Sequence, residues 1–426
     1  MMLKRIIVLM ILGSIIAVAN TSRVLELSDR FLDIRKDGQW LLMFYAPWCA
    51  HCKRLEPIWA HVAQALHNTN IRVGRIDCTR FTGMAVEFGV SGFPTIMFLK
   101  GEFQYTFKGD RTKEEIVNFA LRVSGPPVQQ ITRTESLDNL KASNPLFFVY
   151  VGDHIGSLWD TYSDVAEKFQ PHGFFYSVLP EIAKKHITFT THPTVFVYKE
   201  NSHYFFPEFI NEETELEYLN ASMYDWINAE RFATFPKITR GNINQLLQTR
   251  KYLVLAVVEE NKLQEIPTEM LVFRDMIESV IMKNRDKFHK WFQFGWVGSP
   301  ELANSIAMTV VPLPYLLVVN STTNHHHIPE DDPSQLTPEA VTIFLEQIHN
   351  QSAPSYGGNT LPVRLYRTYF EARTSLAEMW QGNPVLTAVL FGLPLGFLSL
   401  ICYSICCADI MDADDEEEDV THEKKE

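Results

Sequence analysis

Two cysteines three positions apart, in Trp48-Cys49-Ala50-His51-Cys52-Lys53, stand at a change of periodicity. Upstream is the unbroken apolar run Leu41-Leu42-Met43-Phe44-Tyr45. Downstream, Leu55, Ile58, Trp59, Val62 and Leu66 recur at helical spacing. A buried strand therefore hands over to an amphipathic helix, with the cysteines at the joint. The first cysteine of such a joint faces the free N–H groups and positive end of the helix, which stabilise a thiolate. His51, when protonated, adds a cation beside it. One thiol ready to attack and a second able to resolve make a dithiol–disulfide switch. Half a zinc site and a structural disulfide are the competing readings. No second ligand pair lies nearby, which counts against zinc.

Three motifs come in order along the chain: Ala46-Pro47-Trp48-Cys49-Ala50-His51-Cys52-Lys53, Val90-Ser91-Gly92-Phe93-Pro94-Thr95 and Phe107-Lys108-Gly109-Asp110-Arg111-Thr112. Together they resemble a catalytic domain of the protein disulfide-isomerase family, sharply over about residues 24–124. The resemblance implies a thioredoxin fold and thiol–disulfide exchange. Cys49 would form the mixed disulfide with a client and Cys52 would resolve it, with His51 stabilising the Cys49 thiolate. Pro94 would be a cis-proline beside the disulfide, leaving the Phe93 backbone to pair with an extended client. Arg111 would swing toward Cys52 and lower its pKa late in the cycle. Two positions depart from the family. Ala50 replaces a glycine, a change that suits a helix start. Met43 replaces a buried acid that takes the proton from the second cysteine.

The periodicities predict strands at 23–27, 41–45, 71–76, 95–99 and 105–107, with helices after Cys49, over 83–88 and over 113–123. Pro57 should bend the first helix, since it removes a backbone donor. The run Phe93-Pro94-Thr95-Ile96-Met97-Phe98 recurs as His192-Pro193-Thr194-Val195-Phe196-Val197 and again as Leu313-Pro314-Tyr315-Leu316-Leu317-Val318. Apolar strands at 146–151 and 252–258 precede the later copies, and helices at 213–228 and 338–349 come after them. The expected architecture is α/β, with three tandem thioredoxin-like domains and a single C-terminal transmembrane helix. Residues 20–124 form the catalytic domain; 126–232 and 237–350 form two redox-inactive ones, because they contain no cysteine.

The two ends set the topology. Residues 1–19 read as a signal peptide, with Lys4 and Arg5 at its start, the apolar stretch Ile6 to Ile16, and Ala17-Val18-Ala19 as a cleavage site. Residues 385–407 are 23 residues without a charge, enough for a bilayer core. Residues 351–384, with Pro354, Gly357, Gly358 and Pro362, read as a loose linker and a juxtamembrane helix. Residues 408–426 read as an acidic, disordered cytosolic tail. A cleaved signal and one late span predict a single-pass type I protein with its catalytic domains lumenal. The arginines Arg364, Arg367 and Arg373 flank the lumenal side and oppose this by the charge rule. A translocated region this large moves largely regardless of charge, so the signal decides. Endoplasmic-reticulum residence rests on the family resemblance, because the tail Glu423-Lys424-Lys425-Glu426 holds a dilysine pair out of the usual register. Membrane-edge Cys402, Cys406 and Cys407 read as palmitoylation sites or as small apolar helix residues.

The net charge of −13 is concentrated: residues 409–426 hold ten acids against two lysines, or −8. What remains is mildly acidic and gives no case for nucleic-acid binding. No cofactor site is legible, and no metal site is assigned. His325-His326-His327 reads as a solvated loop rather than a weak metal site. Asn220, Asn320 and Asn350 head glycosylation sequons, and Asn20 heads a doubtful one. Phe174, Phe175, Phe205, Phe206 and Phe209 read as core residues, with an exposed client groove as the alternative. Expected partners are secretory clients bearing thiols or disulfides, glutathione or another oxidoreductase, and the membrane. A rival function remains: a client-binding membrane adaptor, or a slow covalent holdase with little turnover. Met43 favours it; His51, Pro94 and Arg111 favour an enzyme.

Overall fold

The computed structural model describes residues 23–189, 192–207, 215–261 and 263–422. The signal segment 1–19, Asn20, Phe209 and the last four residues lie outside them.

The long apolar runs become central strands, because a strand covered on both faces must be apolar on both. β2 (Gln39–Tyr45) is one of these. It pairs in parallel with β3 (Ile71–Asp77), and β3 pairs in parallel with β1 (Leu25–Leu27). On its other side β2 pairs antiparallel with β4 (Thr95–Lys100), which pairs antiparallel with β5 (Phe103–Thr106). The order is β1-β3-β2-β4-β5. The helix Ala50–Ala65 sets Leu55, Trp59 and Val62 against Leu41, Met43, Ile96 and Phe98. Pro57 lies inside that helix without ending it. Behind the sheet, Phe31, Trp40, Phe44, Phe88 and Met97 form a second layer.

The same order recurs twice. β6 (Gln129–Ile131), β7 (Leu146–Val151), β8 (Phe175–Val178), β9 (Thr194–Lys199) and β10 (Ser202–Phe205) run β6-β8-β7-β9-β10. In the third sheet β11 (Tyr252–Val257) lies between β12 (Phe292–Val297), parallel to it, and β13 (Tyr315–Asn320), antiparallel. Here the first edge strand is reduced to a single parallel bridge between Lys237 and Trp296. All three copies of the repeated proline carry a cis peptide bond: Phe93–Pro94, His192–Pro193 and Leu313–Pro314.

Three expectations are corrected. His325–His327 is not a loop: it is β14, paired with β13, and His326 and His327 are buried. Residues 351–364 are not wholly linker. Tyr356–Gly357 form β15 on the edge of β14, and His327 Nδ1 meets Pro354 O at 2.8 Å. The triplet's polarity disguised a strand whose histidines are covered by a segment far along the chain. The helix Pro384–His422 also runs past Cys407 through the acidic segment, in which no glycine or proline interrupts it. Its first part, Pro384–Ile405, has the length and composition to cross a membrane. The helix expected before it spans Leu361–Gly382.

Among the phenylalanines, Phe175 and Phe206 are core, Phe174 is partly covered and Phe205 is exposed. They do not make one exposed groove.

Candidate active site

β2 ends at Tyr45 and the chain turns once before the Ala50 helix, with the Cys49 N–H donating to Ala46 O at 3.1 Å. Cys49 is the helix N-cap, with extended backbone. Its sulfur therefore occupies the place of a capping oxygen and accepts the Cys52 N–H at 3.3 Å. A sulfur in that position meets donors that the helix leaves unpaired, and these favour the thiolate.

The two thiols differ sharply. Cys49 is held below its ordinary value, first by a hydrogen bond from the Cys52 thiol, then by the Cys52 and His51 N–H groups and the Arg111 charge, against burial. Cys52 is pushed up to about 11, first by burial and then by the bond it makes to Cys49; Ala46 and Arg111 pull weakly the other way. Among the described residues no carboxylate enters this balance. Position 43, on the strand that leads into the turn, is Met43, 1% exposed.

The other predicted residues are brought to the same place. The Cys49 thiol points at Phe93 O, 3.7 Å away, across the cis bond that precedes Pro94. Arg111 Nη2 donates to Pro94 O at 3.1 Å, which ties the third motif to the second. His51 is exposed on the first turn of the helix, and Arg54 Nη2 donates to its Nδ1 at 2.8 Å.

Two features escaped the sequence. Trp48 is 73% exposed and meets Phe93 edge-on at 6.4 Å, so an apolar wall stands open beside Cys49. The turn that carries Arg111 is gripped from the third sheet's unit: Thr239 Oγ1 donates to Asp110 Oδ1 at 2.7 Å, and Gln245 Nε2 donates to Lys108 O. No periodicity signals a contact between residues so far apart.

The lone Cys78 and the sequon asparagines lie elsewhere. Cys78 is buried, and its thiol is pushed up to about 11 by burial and by Asp77. Asn220 is half-buried on the helix Leu216–Glu230, Asn320 ends β13, and Asn350 caps the helix Pro338–His349. Among the described residues no cluster of three metal-ligating side chains occurs.

Chemically, the arrangement holds an N-capping sulfur with a lowered pKa, a second thiol within reach, an open apolar wall and a backbone carbonyl beside the sulfur. Comparison with known proteins agrees with that chemistry. The thioredoxin family profile matches residues 25–122, and a thioredoxin-like domain profile matches 152–347. The Xenopus laevis protein disulfide-isomerase TMX3 is 34% identical over 406 residues, covering 95% of this chain and 86% of that protein. The Homo sapiens protein of the same name is 32% identical, covering 90% and 82%. The solution structure of the first thioredoxin domain of mouse protein disulfide-isomerase A4 is 39% identical over 25% of this chain and 79% of that one, with a TM-score of 0.24.

Proposed function

This chain belongs to the protein disulfide-isomerase family and is a thiol–disulfide oxidoreductase, and from that premise we propose that it is a membrane-anchored enzyme of the endoplasmic reticulum. It forms or rearranges disulfides in secretory clients through Cys49-Ala50-His51-Cys52. On this reading the three sheets are three thioredoxin-like domains, of which only the first is redox-active. Residues 1–19 direct the chain into the lumen, and Pro384–Ile405 crosses the membrane once.

In the oxidising direction a client thiolate attacks Cys49 Sγ of the Cys49–Cys52 disulfide. The S–S bond breaks and Cys52 leaves with the electron pair and takes a proton. A second client thiolate then attacks the client sulfur of the mixed disulfide and expels Cys49. The lowered pKa of Cys49 makes it a good leaving group in that last step. In the reverse direction Cys49 attacks, and Cys52 must lose its proton before it can resolve. Trp48 offers apolar surface to the client, Phe93 offers main-chain pairing, and Arg111 eases deprotonation of Cys52. Asn220, Asn320 and Asn350 are the sites at which lumenal glycosylation is expected.

The observation that carries this reading is the pair of opposed thiols: one lowered at a helix N-cap, the other raised in the core behind it. Titrating the Cys49–Cys52 couple against glutathione tests it. A potential near about −180 mV supports transfer of the disulfide to clients, whereas one near about −270 mV places the site with reductants and overturns the oxidase or isomerase role.

One observation favours a second reading. With Met43 where the family resemblance implies an acid, no carboxylate among the described residues figures among the groups acting on the Cys52 thiol. Mixed disulfides would then persist, and the protein would act as a slow covalent holdase or client-binding adaptor. Multiple-turnover refolding of a reduced client separates the two: turnover requires the enzyme, and a single stoichiometric adduct requires the holdase.

A further inference from the structure

The helix Leu361–Gly382 has no buried residue. Its partly covered positions are Val363, Arg367, Phe370 and Thr374, which fall within an arc of about 60° on a helix of 3.6 residues per turn. That arc is turned toward the third sheet's unit. Arg367 Nη2 donates to Gly358 O at 3.2 Å, and Arg367 lines a cleft with Ile243, Leu247 and Ile306.

The opposite face is apolar and open. Leu365, Tyr369, Leu376, Met379 and Trp380 lie within an arc of about 100° and are 40–64% exposed. Glu371 and Glu378 lie off this stripe, and Arg373 lies at its edge. A helix fastened to its own protein by one side, with an apolar stripe on the other, has an uncovered partner surface.

The neighbouring apolar helix indicates what covers that surface. Asn383 has φ −157° and ψ 91°, so the helix Leu361–Gly382 ends there and the chain changes direction. The apolar helix begins at Pro384, and Thr387 Oγ1 donates to Met379 O at 2.9 Å, fastening the two helices at the joint. The stripe is thus continuous with the segment that has the composition of a membrane span. It carries Tyr and Trp, the residues that sit at bilayer interfaces, and an arginine at its edge that reaches phosphates.

We infer that the Leu365–Trp380 face lies in the headgroup–acyl boundary of the membrane, as an interfacial helix beside the span. The inference rests on reading Pro384–Ile405 as a span. Gripped by Arg367 on one side and by lipid on the other, the helix fixes how the rest of the protein stands over the bilayer.

The test is photo-crosslinking of the full chain in nanodiscs of phosphatidylcholine and phosphatidylserine. A benzophenone side chain is placed in turn by Tyr369→p-benzoylphenylalanine, Leu376→p-benzoylphenylalanine, Glu371→p-benzoylphenylalanine and Glu378→p-benzoylphenylalanine. Leu395→p-benzoylphenylalanine reports on the span. Lipid-mass adducts at 369 and 376, with none at 371 and 378, are expected. An adduct at 395 with none at 369 and 376, or adducts there to a second copy of the chain, overturn the inference and leave the span intact. Absence of lipid at 395 as well sinks both.

Discussion

Thr239 donates its hydroxyl proton to Asp110 at 2.7 Å, so a residue from the third sheet's unit holds the turn that carries Arg111. The grip is doubled by Gln245 on Lys108 O. Arg111 lies between Asp110 and Thr112, whose own N–H donates to Asp110 O at 2.8 Å. A part of the chain without cysteines thereby holds the turn next to Arg111 at the candidate site.

Thr239→Val keeps the shape and removes the donor. A hydrogen bond worth about 1 kcal/mol corresponds to roughly fivefold in an opening equilibrium. Amide exchange at Gly109, Arg111 and Thr112 should accelerate by about that factor, with the β2 amides unchanged. Equal exchange in both proteins would show that the Thr239 hydrogen bond does not hold the turn.

The Cys52 thiol is the first cause of the lowered Cys49 pKa. Cys52→Ala removes that donor while leaving the N–H groups of the helix start. The pH midpoint for alkylation of Cys49 by iodoacetamide should therefore rise, yet stay below that of a free cysteine, because the capping N–H groups remain. A midpoint that does not move would assign the effect to the backbone N–H groups and the Arg111 charge.

Met43→Asp puts a carboxyl at the position where the family resemblance implies an acid serving the second cysteine. Buried, it has a raised pKa and can take the Cys52 proton, converting a thiol held near about 11 into a nucleophile. General-base assistance is typically worth about 10²-fold or more, so a trapped mixed disulfide should clear faster by that order in an acid-quench experiment. The new acid costs roughly 1–3 kcal/mol of stability if its hydrogen bonds are incomplete. An unchanged lifetime would mean that Arg111 alone, or solvent, handles the proton.

Glu230 fastens the second unit to the third. It meets Lys199 at 2.6 Å, Arg285 at 2.9 Å and His289 at 2.6 Å, with all four side chains largely buried. Glu230→Gln leaves Lys199 buried without its counter-charge, a loss of about 3–5 kcal/mol in urea denaturation at pH 7. The pH dependence has one sign. His289 is pushed down to about 4, mainly by burial, so between about 6.5 and 4 the unfolded chain binds the proton more tightly. The Glu230 carboxyl is held well below the carboxylate range by His289, Lys199 and Arg285, despite burial. Both contributions are complete above about pH 6.5 and are lost as the pH falls. The gap between wild type and Glu230→Gln should narrow at pH 4.

Much of the fold was legible because its signals are local. The change from an apolar run to helical spacing around Cys49 placed β2 and its helix. The recurring proline motifs located β4, β9 and β13. The shift to a long uncharged run located the apolar C-terminal helix. The cysteines, Pro94 and Arg111 came together as their motif order implied.

Other features depended on the folded chain. The polarity of His325–His327 suggested solvent, but β13 on one side and Tyr356–Gly357 on the other bury two of the three rings. The apolar stripe from Leu365 to Trp380 is a helical pattern in the sequence; only Arg367 against Gly358 decides which way it faces. The grip of Thr239 on Asp110 and the convergence of Lys199, Arg285 and His289 on Glu230 obey the same rule. Residue order alone dictated what each segment becomes, since secondary structure and the joint between strand and helix depend on neighbours a few residues apart. The folded arrangement settled which charges are buried together and which turn is held, because those pairings join residues tens to more than a hundred positions apart, and no local period encodes them.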